Sequence, residues 1–155
     1  MKFLVVKELR HNPLLKSVVL LLVAFLGLFL VSDMILHHLQ IGLSPSKATE
    51  TLLGNEESFI EPILFDALLE RIHVDIFTSM MTLVLLSIIY MRVLDKEKSK
   101  VIHLAFITAI LSPIAIILAY FYGTVFIVSW IGLFILWHLS GLYLSMGIVW
   151  SLLKR

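Results

Sequence analysis

Four apolar stretches, each about as long as a lipid bilayer is thick, constrain this chain more than any motif in it. Crossing about 30 Å of hydrocarbon takes roughly 20 predominantly apolar residues in a helix. Runs of that kind occupy residues 14–36, 72–93, 101–122 and 125–153. A chain of 155 residues that is 60% hydrophobic cannot keep such runs inside a soluble core. Lipid offers no hydrogen bonds to a backbone, so each run must satisfy its own peptide groups as a helix. The chain therefore reads as all-α: one transmembrane domain over residues 1–155, an integral membrane four-helix bundle whose first partner is the lipid bilayer.

Basic residues near span ends are retained on the cytoplasmic side. Lys2, Lys7, Arg10 and Lys16 precede the first run, Arg92, Lys96, Lys98 and Lys100 separate the second from the third, and Lys154 and Arg155 close the chain. Both termini are thus expected in the cytoplasm. The first run is too long for a secretory signal and lacks a small-x-small cleavage pattern, so it reads as an uncleaved anchor. The long connection, residues 39–70, holds Glu50, Glu56, Glu57, Glu61, Asp66 and Glu70 against Lys47 and the adjoining Arg71, and belongs outside. Tyr120, Phe121 and Tyr122, next to Gly123, mark a second outer turn with aromatics at headgroup level. A net charge of +1 gives no reason to expect a nucleic-acid partner.

The outer connection is partly helical by its punctuation. Ser46 before Lys47-Ala48-Thr49-Glu50 suits an N-cap with a short helix to Leu53, stopped by Gly54-Asn55. Pro62 suits a first helical turn, so the second long helix is expected to begin near Glu61.

With no cysteine, a metal would have to be held by nitrogen and oxygen. His37 and His38 end the first run, and Glu70-Arg71-Ile72-His73 opens the second. An E-x-x-H step on a bundle helix recurs in carboxylate metal sites. The expected metal ligands are His37, His38, Glu70 and His73, for Zn, Cu, Fe or Mn, with Asp33, Glu56, Glu57 and Asp66 as supporting groups. Asp66, Glu70, His73, Phe77 and Met80 share one helical face, as do Asp33 and His37. Asp75 lies on roughly the opposite side of its helix and is left out.

His138 is the remaining ionisable group deep inside an apolar run, about 20 Å along its helix from the outer start, with Phe134, Gly141 and Ser145 on its face. A neutral histidine bonded to a hydroxyl such as Thr78 or Thr82 is the structural alternative. The cofactor alternative is haem b, with His73 paired to His138 or His37 as axial ligands. His11 and His103 read as interfacial.

The run His37-His38, Gly42, Gly54-Asn55-Glu56-Glu57, Leu68-Leu69-Glu70 and His73 resembles small four-span inner-membrane proteins of proteobacteria. That resemblance implies a bacterial inner membrane. The four-helix arrangement and histidine count are also similar to cytochrome-b-like bundles, which would imply electron transfer and exchange with a quinone. No side chain looks like an activated nucleophile, so an autonomous enzyme is not expected. The leading expectation is a metal- or haem-binding redox or metal-handling component with a His/Glu site near the outer face. A structural or assembly subunit of a larger membrane complex, without cofactor, is the alternative.

Overall fold

The computed structural model describes residues 12–94 and 99–154, and five helices account for nearly all of them. They are α1 (Pro13–Gln40), α2 (Pro45–Leu53), α3 (Phe65–Val93), α4 (Ser99–Tyr122) and α5 (Thr124–Leu153). All but α2 are long and apolar enough to cross a membrane. The fold is therefore the expected membrane helical bundle. Lys2, Lys7, Arg10, His11, Lys96, Lys98 and Arg155 lie outside the described residues.

Local chemistry sets the ends. Asn12 accepts from the Leu14 and Leu15 amides at 3.1 and 3.2 Å, ahead of Pro13 at the first helical position. α2 starts earlier than expected: its cap is Ser44, which accepts from Lys47 N at 3.4 Å, because Pro45 rather than Lys47 takes the first turn. Gly54, at φ +81°, ends it. α3 begins at Phe65 rather than near Glu61. The segment before it is held extended by the Asn55–Ile60 bridge and by the Ile63 amide, which donates to Thr51 O at 3.0 Å.

α5 is the central helix and contacts all the others, while α1 and α3 meet each other only slightly. Its tightest partner is α4, joined through the single residue Gly123 at φ +86°. α1 is peripheral: its buried residues are Val23, Leu30 and His37, seven apart along one line. Glycines bring it close to α5, since a Cβ on Gly141 would stand 2.9 Å from Leu30 Cδ1 and one on Gly27 3.2 Å from Ser145 Oγ. The buried line of α3 runs through Leu68, Ile72, Ser79, Leu83, Leu86, Tyr90 and Val93.

Two apolar clusters fill the interior. One includes Ile41, Ala48, Leu52, Leu68, Ile72, Ile127 and Phe134, at the end carrying α2. The other includes Val23, Leu30, Leu83, Leu86, Leu144 and Ile148, toward the opposite end. Phe65 packs on Tyr120 and Phe121, each at 5.3 Å between ring centres, and makes an aromatic rim at the α2 end. Lys16, Arg92, Lys100 and Lys154 belong to the opposite end by their places in the helices. The charge asymmetry seen in the sequence is thus carried by the two ends of one bundle.

A candidate metal centre between three helices

Two aspartates and two histidines meet inside the bundle. His37 Nδ1–H donates to the Asp33 carbonyl at 3.0 Å, one turn back on α1, and Nε2 faces Asp75 Oδ2 on α3 at 3.0 Å. His138 repeats the pattern on α5: Nδ1–H donates to Phe134 O at 2.8 Å, and Nε2 faces Asp33 Oδ2 at 3.0 Å. The other oxygen of Asp33 stands 3.5 Å from His37 Nδ1. Asp75, His37, Asp33 and His138 therefore form one chain across three helices.

Hydrogen-bond logic fixes the proton count. A carbonyl only accepts, so both Nδ1 atoms carry hydrogen. Each Nε2···Oδ2 contact then needs one further proton, held by either partner, and the four groups together are neutral. Isolated, a carboxylate at the centre of a membrane helix costs about 2.5–3.5 kcal/mol by insertion scales. Mutual pairing offsets that cost here.

The chain runs from a half-exposed end to a sealed one. Asp75 faces a groove of about 630 Å³ between α1 and α3, lined by Phe29, Asp33, Leu36, His37 and Gln40 on one side and Ala67, Glu70, Arg71, Val74, Asp75 and Thr78 on the other. His138 is completely buried, with the Phe134 and Trp137 rings 4.1 and 3.7 Å from its own. A cavity of about 20 Å³, room for one water, touches Asp33 and Asp75 from the α4 side beside Pro113. Pro113 has no amide hydrogen, so the Ala109 carbonyl one turn back lacks its helical donor, and Ala109 lines that cavity.

Among the described residues, Asp33, His37 and Asp75 form a group able to hold a metal ion, one ligand atom from each lying within 4.8 Å of the others. Of the four expected ligands only His37 is in it. His38 and His73 are exposed, and His73 sits with Ile76, Phe77, Met80, Met81 and Val84 on an outer face of α3. Glu70 lines the groove without joining the group, and Glu56, Glu57 and Asp66 are exposed away from its lining. Asp66, Glu70 and His73 share a face as expected, but it is an exposed face. His138 meets neither Thr78, which donates to Val74 O on its own helix, nor His73.

Asp75, left out of the expected ligands, is the residue that the packing adds to the group. Two signals mark it: it is the carboxylate farthest inside the apolar part of α3, and it falls between Ile72 and Ser79 on the three-and-four spacing of the buried line. Asp33, placed near the rim by the sequence, stands level with His138, which its Oδ2 meets at 3.0 Å.

A family model described as a transmembrane helical domain matches residues 42–155. That segment contains Asp75 and His138, whereas Asp33 and His37 precede it on α1. No curated protein and no solved structure matches the chain.

Proposed function

We propose that the chain, which belongs to the Aq_1264_TM family of transmembrane helical domains, binds one divalent transition-metal ion at the floor of the α1–α3 groove through Asp33, His37 and Asp75. The observation that carries this reading is the setting of His37, whose Nδ1–H is held by the Asp33 carbonyl while Nε2 points at Asp75 Oδ2. Metal-bound imidazoles are oriented in this way, one ring nitrogen fixed by a carbonyl or carboxylate and the other left for the ion. The ion takes the place of the proton between Nε2 and Oδ2. Asp33 offers Oδ1 and keeps Oδ2 on His138, which makes His138 the support behind a ligand.

One imidazole and two carboxylates suit Zn, Mn, Fe or Cu. Three protein ligands leave a position open toward the groove, as in sites where the ion acts on a further molecule. The α2 end, acidic and opposite to Lys16, Arg92, Lys100 and Lys154, then faces away from the cytoplasm of a bacterial inner membrane. A metal-handling or redox role at that face, alone or in a larger membrane complex, follows from this placement.

Haem fits less well than a bare ion. Both nitrogens of His138 are engaged and its ring is enclosed by Phe134 and Trp137, while His73 lies on the exposed face of α3. A cofactor-free assembly subunit is the second reading, favoured by the way the neutral chain ties the thinly packed α1 to α3 and α5.

The test is elemental analysis of detergent-purified protein after equilibration with each ion and removal of the excess. Near-stoichiometric retention of one ion, lost in Asp75→Asn with the helical spectrum unchanged, is the expected result. Wild-type protein that retains none of the ions overturns the metal reading and leaves the assembly role.

A further inference from the structure

Arg71 is half-buried, lines the α1–α3 groove, and has neither an ion pair nor a hydrogen bond among the described residues. It stands four residues before Asp75, about 6 Å along the same face of α3. Its guanidinium therefore borders the space above the proposed ion, and its planar set of donors matches the oxygens of a phosphate.

The charge of the floor decides what Arg71 can share. The four-residue chain is neutral when each Nε2···Oδ2 contact holds its proton. Exchanging the proton between His37 and Asp75 for a divalent ion leaves one excess positive charge there. Arg71 and the ion then form two adjacent positive centres. Glu70 also lines the groove and opposes an anion, but it is exposed, where solvent and salt screen it.

We infer that the groove receives the phosphate headgroup of a membrane lipid, held between Arg71 and the ion on Asp33, His37 and Asp75, an assignment that rests on the metal reading above. The shape favours a lipid over free phosphate. A volume of about 630 Å³ far exceeds one phosphate and lies within the range of small-molecule sites. Its walls include Phe29, Leu36, Ile63 and Val74. α1 and α3 each pack on α5 and barely on each other, so the slot between them opens sideways to the acyl chains. Phe29 and Thr78 continue the lining beyond Asp75, along the course an acyl chain would follow.

Zinc-loaded protein in detergent would be titrated with short-chain phosphatidic acid, the matching diacylglycerol and inorganic phosphate, with zinc content measured on the same samples. Phosphatidic acid binding at least about tenfold more tightly than either comparison, and at least about tenfold more weakly in Arg71→Gln at unchanged zinc content, supports the assignment. No preference over diacylglycerol, or no effect of Arg71→Gln, overturns it. Inorganic phosphate bound as tightly overturns the lipid source and makes the site one for a water-borne anion. Wild-type protein that retains neither zinc nor any of the other ions shows that the metal reading itself has failed, and this inference falls with it.

Discussion

Asp33 Oδ2 lies 3.0 Å from His138 Nε2, a contact that joins the first membrane helix to the last across 105 positions of sequence. Because His37 uses the same aspartate's backbone carbonyl, Asp33 organises both histidines at once. Elsewhere α1 packs on α5 through the apolar residues Val23 and Leu30, beside Gly27 and Gly141.

This makes Asp33 and His138 energetically coupled. Asp33→Asn and His138→Gln are each expected to destabilise the bundle, and a double-mutant cycle should return a coupling of about 0.5–3 kcal/mol. Equilibrium unfolding in mixed micelles measures it. Additive effects would mean that the two side chains are neighbours without a shared interaction.

The placement of the expected ligands separates two sets of variants. Replacing His38, Glu70 or His73 by Ala should leave metal content at the wild-type level. His37→Gln and Asp75→Asn should each lower affinity by at least about tenfold, since even supporting groups around a metal are worth about 10–100-fold. Competition with a chromogenic chelator reads both. Loss of the ion in His73→Ala with retention in Asp75→Asn would return the site to the exposed face of α3.

Haem chemistry has its own readout. The enclosed ring of His138 and its two hydrogen bonds predict no Soret band that shifts on reduction in purified protein. A stoichiometric band abolished by His138→Ala would reverse this and make His138 an axial ligand.

Gly141 sets how near α1 can approach. An alanine Cβ there would meet the Leu30 side chain, too closely only at Cδ1, an end that can rotate, so Gly141→Ala should cost less than about 1 kcal/mol. Gly141→Phe overfills the same contact, should cost about 1–3 kcal/mol or more, and should push Asp33 away from His138. The chain has no cysteine, so a pair introduced on α1 and α5 can report the separation by cross-linking yield. Equal yields in the two variants would show that the glycine does not govern the approach.

What the sequence determined by itself was the class and the spans, because the requirement to satisfy a backbone in lipid acts on each segment alone. The turn at Gly123, the short helix ending at Leu53 and the shared face of Asp33 and His37 follow from the same local rules. Which polar groups meet was decided only by tertiary structure. Helical spacing put Asp66, Glu70 and His73 together, yet only the packing of α3 shows that all three are exposed and that Asp75 reaches His37. The level of Asp33 beside His138 likewise depends on how α1 packs along α5. A side chain's neighbours across a bundle depend on the relative rotation and height of whole helices, and those are set by contacts between residues far apart in the chain.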